Sequence, residues 1–193
     1  MKYIALLRGI NISGKNKISM SELKLELEKN KYQNVLTYLN SGNVIFESDI
    51  DNKESIMKDI HKIIKNKFNL EIPVFIMTAF ELEDILNNNP NWWGTDNKEV
   101  YHNLIFIIPP TKYEDVYNAI GEPKEDIEQI KEYNNFIFWS YDLKNYRKSN
   151  WWSKTASTNI KDKITIRTAN TMKKVLEICN TLCQNEVLLY EKM

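Results

Sequence analysis

Apolar and polar positions along this 193-residue chain switch between a strand period and a helix period, and the order of the switches repeats. Residues 2–8 (KYIALLR) form a near-continuous apolar run of strand length. After a polar loop over 9–18, Ser19 and Glu22 have capping-box spacing, with Ile18 and Leu23 placed as the hydrophobic staple. Met20, Leu23 and Leu27 then recur at helical spacing. Residues 34–39 read as a strand, Asn40-Ser41-Gly42-Asn43 as a tight hairpin, and 44–47 as the partner strand. A second helix is predicted over about 51–67, with Ile56, Met57, Ile60, Ile63 and Ile64 on one stripe. A strand over 73–77 closes a βαββαβ unit, the ferredoxin-like order.

The second half repeats this order. Thr78 and Glu81 form another capping box, opening a helix that ends before Pro90. A strand follows over 102–108, and Thr111 with Glu114 is predicted to cap a helix stopping at Gly121. Residues 126–133 and 136–140 pair around Asn134-Asn135. An irregular helical stretch over 143–158, a strand over 164–168 and an apolar-faced helix from Asn170 through Leu182 complete the chain. The expected fold is α+β: two tandem ferredoxin-like (βαββαβ) units with largely antiparallel sheets and extra connecting and C-terminal helices. The expected division is 1–78 for the first unit and 79–101 for a linking helix with a Trp-containing linker. Residues 102–168 then form the second unit, and 169–193 a C-terminal helix and tail.

This topology gives one polar cluster a location. With strand order 4-1-3-2, the end of the first strand and the hairpin between the second and third share one sheet edge. Their ends are then roughly 5–10 Å apart. The edge gathers Arg8, Asn11, Ser13, Lys15, Asn16 and Lys17 with Asn40, Ser41, Gly42 and Asn43. Gly9, Gly14 and Gly42 permit positive φ, which turns backbone N–H groups toward a ligand, and the first helix turn after Ser19 favours an anion. These groups suit phosphate, sulfate or carboxylate. No His, Cys, Asp or Glu lies in either loop, and neither GxxxxGK[ST] nor GxGxxG occurs. The plainer alternative is two ordered turns whose Asn and Ser side chains bond their own backbone.

Composition sharpens this in a few places. Only three arginines occur, Arg8, Arg147 and Arg167, against twenty-three lysines, so each Arg marks a place where a planar fork could be needed. Lys+Arg and Asp+Glu both number 26, which argues against non-specific nucleic-acid binding. Phe46 and Tyr3 alone do not make the aromatic pattern of an RNA-reading sheet, which argues against sequence-specific recognition. No apolar run reaches the roughly 20 residues of a membrane span, and Arg8 interrupts the short apolar start, so a cytoplasmic location is expected. Cys179 and Cys183 read as thiols on an apolar helix face, and no metal or cofactor motif is present. The pairs Trp92-Trp93 and Trp151-Trp152 are expected to pack in cores, with base stacking as the other option. His61 is expected at the surface and His102 in a structural role.

The stretch ALLRGINISGKNKISMSELK, with TYLNSGNVIFES after it, closely resembles the opening of a bacterial family classified as domain of unknown function 1697. That family shows ALLRGIN, a GKNK loop and a TY[IL]NSGNV[IV]F hairpin. Near the end, Thr165-Ile166-Arg167-Thr168-Ala169-Asn170-Thr171 fits a family pattern T-x-R-N-W-N-T with Thr168 and Ala169 as departures. The resemblance implies a two-unit α+β protein and carries no activity with it. It marks Arg8, Asn11, Lys15, Asn40, Ser41, Gly42, Asn43 and Arg167 as matched positions. Three readings follow. The leading one is a protein binding a small phosphate-bearing or nucleotide-like anion at the RGIN/NSGN edge, with Arg167 joining if its strand end reaches that edge. The others are an enzyme acting on a phosphorylated substrate, and an interaction module or homodimer without a small ligand. The sequence leaves oligomeric state open.

Overall fold

A computed structural model of the chain describes residues 1–190, with side chains described through residue 182. The expectation for the Cys183 thiol therefore lies outside the described side chains, and that for the last three residues outside the described chain. Two units divide the chain: residues 1–86 with 171–193, and residues 87–170.

In the first unit β1 (Lys2–Leu7), α1 (Met20–Lys29), β2 (Gln33–Tyr38), β3 (Asn43–Glu47), α2 (Lys53–Phe68) and β4 (Val74–Thr78) follow in order, and α3 (Ala79–Asn87) comes next. The sheet order is β2-β3-β1-β4, with every neighbour antiparallel. Tyr3 lies opposite Phe46 and Ala5 opposite Val44. Their face carries the core, in which Leu23 and Leu27 of α1 and Ile56, Ile60 and Ile64 of α2 are buried. Each such side chain contributes about 1.5–3 kcal/mol of transfer free energy. Tyr32 packs edge-on against Phe46 and donates its hydroxyl to Asp59 at 2.8 Å. Ile4, Leu6 and Ile45 point the other way and are buried too, which is why β1 reads as a continuous apolar run rather than an alternation.

The second unit repeats the order as β5 (Val100–Ile107), α4 (Tyr113–Ile120), β6 (Glu128–Tyr133), β7 (Phe136–Asp142), α5 (Asn150–Thr155) and β8 (Ile164–Thr168). Its sheet order is β6-β7-β5-β8. Short 3₁₀ turns at Tyr146–Lys148 and Lys161–Lys163 flank α5. The helix α6 (Ala169–Tyr190) leaves β8 without a loop. Among the described residues no helix is long and apolar enough to cross a membrane.

Local chemistry accounts for the element ends. Ser19 accepts from the Glu22 N–H at 3.3 Å, and Thr78 with Glu81 forms a reciprocal capping box. Four details depart from the sequence reading. The loop preceding α4 is capped one residue later than expected: the Lys112 N–H donates to Asp115, and Asn135 of the β6–β7 hairpin accepts from the Tyr113 N–H at 2.8 Å. A side chain distant in sequence thus does the work assigned to Thr111. Helix α2 starts at Lys53, because Asn52 accepts from the Ser55 N–H and holds extended backbone. Strand β6 starts at Glu128, since Asp126 has φ +62° within a turn. Leu39 belongs to the hairpin loop at φ +59°, not to β2.

Candidate functional site

The RGIN and NSGN segments meet at one edge of the first sheet. The Leu7 N–H donates to the Gly42 carbonyl at 2.8 Å, and the Arg8 N–H to Pro73 at 2.9 Å, so β1 delivers Arg8 half-buried to this edge. Asn11 then joins the two loops. Its Nδ2 donates to the carbonyls of Asn40 and Ile18, both at 2.9 Å, and its Oδ1 accepts from the Ile18 N–H at 2.9 Å. Asn16 donates to the Gly9 carbonyl at 3.0 Å, and Ile12 and Lys15 form an isolated β-bridge.

The loop backbone is unusually dense in left-handed residues. Gly9, Asn11, Ser13, Gly14, Asn16, Leu39 and Gly42 all have positive φ. Asn tolerates this conformation, whereas Leu at φ +59° is strained and is held only by what surrounds it. Gly42 is obligatory: a Cβ there would lie 2.7 Å from Leu7 Cβ and 2.8 Å from Ile10 Cδ1.

The expected site residues therefore separate into two groups. Asn11, Gly42 and Asn43 make the frame. Asn43 is fully buried and donates to the Tyr38 carbonyl at 2.8 Å and to Ser41 Oγ at 3.1 Å. Ser13, Lys15, Lys17, Asn40 and Ser41 are exposed. A depression of about 600 Å³ opens beside them, lined by Gly14, Lys17, Ser19, Ser21, Asn40 and Phe68 among others. Glu22 also lines it, one acid against the single lysine, Lys17. Sequence reasoning did not single out Ile12 and Leu39, which stand 61% and 53% exposed on the same loops. No spacing signals an exposed apolar residue in a turn.

Arg167 lies in the second unit on β8, 7% exposed, with Nη1 donating to Thr165 Oγ1 at 2.9 Å and to the Ile166 carbonyl at 2.8 Å. In the same unit, buried Trp93 and Trp151 donate to the carbonyls of Asn103 and Gly121, whereas Trp152 is 42% exposed. His102 is buried between Ser140 Oγ at 2.6 Å and Thr95 Oγ1 at 3.1 Å. His61 is half-buried, between the Ile72 carbonyl and the Glu71 carboxylate. Among the described residues no group of three or more His, Cys, Asp or Glu could hold a metal ion.

No curated protein is significantly similar to the chain. The solved structure of the conserved bacterial protein SP0830 from Streptococcus pneumoniae is similar at a TM-score of 0.80 and 27% identity, covering 91% of this chain and 97% of that one. The fold of two four-stranded antiparallel sheets is thus shared along nearly the whole length. A family model described as "Protein of unknown function (DUF1697)" matches residues 1–138, the stretch that holds both loops of the edge, and the chain belongs to that family.

Proposed function

We propose that the RGIN/NSGN edge binds a small anionic ligand, a phosphate-bearing or nucleotide-like molecule. Arg8, Lys15 and Lys17 supply positive charge, while Ser13, Asn40 and Ser41 offer polar contacts. Asn11, Gly42 and Asn43 keep the loops in register. Arg167, on β8 of the second unit, joins this reading only if its strand end reaches the edge. One observation carries the proposal: Asn11 locks two strained loops together, yet Lys15 and Lys17 remain in solvent on them, Lys17 at the rim of a depression. Left-handed backbone concentrated in these two loops suits a preorganised binding surface.

Thermal unfolding against inorganic phosphate, pyrophosphate, AMP and ATP tests this. Ligand at about 100 times its dissociation constant stabilises by roughly 2.7 kcal/mol, a midpoint shift of about 5–11 °C at this size. The shift should vanish in Lys15→Ala/Lys17→Ala and in Arg8→Ala. A full shift in both variants would end the proposal.

A second reading, docking of a protein partner at the same edge, is favoured by exposed Ile12 and Leu39. It requires Ile12→Asp to abolish a complex or dimer detected by light scattering; a monomer at high concentration with no captured partner rules it out.

A further inference from the structure

The second unit holds a cluster of cations that the RGIN/NSGN edge does not use. Lys124, Arg147 and Lys148 converge on a pocket of about 350 Å³, walled also by Glu122, Asn150 and Ser153. The pocket borders the start of α5, but that helix end is not what would hold a ligand. The N-terminal N–H groups of α5 are already taken by the buried Glu128 carboxylate, which accepts from Asn150 N at 2.6 Å and from Trp151 N at 3.2 Å. What faces the pocket is side-chain charge.

Arg147 is the best defined of the three. Its Nε donates to the Tyr146 hydroxyl at 3.1 Å and its guanidinium lies 5.6 Å from the centroid of the same ring. The ring therefore fixes the plane of the guanidinium while leaving both terminal nitrogens to form a bidentate fork. Tyr146 in turn meets Trp152 edge-on, with centroids 4.8 Å apart. Trp152 is 42% exposed, so an indole face stands in water one ring removed from the fork. Glu122, the acid on the pocket wall, is engaged by the Tyr117 hydroxyl, which pushes that tyrosine up to about 12. Glu122 keeps its negative charge there, so the three cations outnumber the one acid on the pocket wall. A chain of contacts therefore runs from the Arg147 guanidinium on the pocket wall through Tyr146 to the exposed Trp152 indole, with Lys124 and Lys148 on the same wall.

We propose that this surface is a second subsite, independent of the first-unit edge, for a phosphate ester that carries a planar ring: a nucleotide moiety. The phosphate sits on the Arg147 fork between Lys124 and Lys148, and the base stacks on Trp152. A free nucleotide and a strand of nucleic acid share this chemistry, so the test separates them.

Calorimetric titration uses the full chain carrying Lys15→Ala/Lys17→Ala, so that the first-unit edge does not contribute. The probes are AMP, pyrophosphate and an octameric oligouridylate. AMP should saturate, and Arg147→Ala and Arg147→Lys should each weaken it about tenfold or more, since Lys lacks the fork. Trp152→Ala should weaken AMP and leave pyrophosphate unchanged. Both side chains are exposed, so unchanged circular dichroism is expected. Saturation by the octamer alone, with the same dependence on Arg147 and Trp152, assigns the site to a strand and supports the shared chemistry. Saturation by pyrophosphate but not AMP, equal binding in Arg147→Ala, or no binding by any probe overturns it.

Discussion

At the scale of single residues, Gly42 and Gly14 separate two reasons for a glycine. Both have positive φ, +81° and +76°. A side chain at Gly14 would meet open space, while at Gly42 it would strike Leu7 and Ile10. Gly14→Ala therefore carries only the left-handed penalty, about 1–2 kcal/mol, whereas Gly42→Ala adds overpacking for about 3 kcal/mol or more in all. Urea midpoints of the two variants measure the difference, and equal losses would refute the packing argument. The sequence shows that these glycines sit in turns. It does not show which of them a neighbouring strand presses against, because that depends on how closely β1 approaches the hairpin. Asn11 is similar. Its residue type suits a ligand contact or a turn equally well, and only the geometry shows its amide spent on Ile18 and Asn40.

At the scale of elements, what the sequence reveals depends on how local the capping chemistry is. Ser19 and Thr78 cap helices through partners three residues away, and their spacing announces it. At α5 Ser149 caps locally, accepting from the Trp152 N–H at 2.9 Å, but the acceptor for the Asn150 and Trp151 N–H groups comes from another element, as part of the α4 cap does. Glu128 sits in a strand reading EQIKEY, where an acid looks solvent-facing, yet it is 5% exposed. It accepts from Lys124 N, Asn150 N, Trp151 N, Trp139 Nε1 and Ser149 Oγ. Glu128→Ala leaves these buried donors unpaired and should cost roughly 3–5 kcal/mol, with loss of near-ultraviolet dichroism from Trp139 and Trp151. An unchanged spectrum and midpoint would show that water replaces it. The α3 cap has a pH signature. Burial opposes ionisation of Glu81, but Lys53, the Thr78 N–H and the Thr78 hydroxyl outweigh it and hold the carboxyl below its ordinary range. The cap therefore contributes fully above the unfolded value of 4.5 and fades as pH falls through the lower folded value. The melting temperature of the wild type should exceed that of Glu81→Gln at neutral pH, and the gap should close in acid. A gap independent of pH would sever the cap from the charge.

At the scale of the whole molecule, the duplication is legible because each βαββαβ order is spelled out locally. What is not legible is that the first unit is discontinuous. The apolar stripe of α6 predicts a helix with a buried face but names no partner for it. In the structure, residues from 171 onward belong with residues 1–86, and Lys2 Nζ donates to the Cys179 carbonyl at 2.9 Å. Met172, Val175 and Cys179 are buried. Burial of Met172 and Val175 alone is worth about 1.5–3 kcal/mol each, a large share of the marginal stability of a domain. A chain ending at Asn170 keeps both βαββαβ orders complete, so a reading of tandem units with an appended helix makes that truncation harmless. The discontinuous unit makes the opposite prediction. Removing residues 171–193 should lower the urea midpoint and speed hydrogen exchange at the amides of β1 and α1, measured by mass spectrometry on peptides covering residues 1–30. Protection unchanged in those peptides would mean that α6 is an appendage after all, and that the first unit closes its core with residues 1–86 alone.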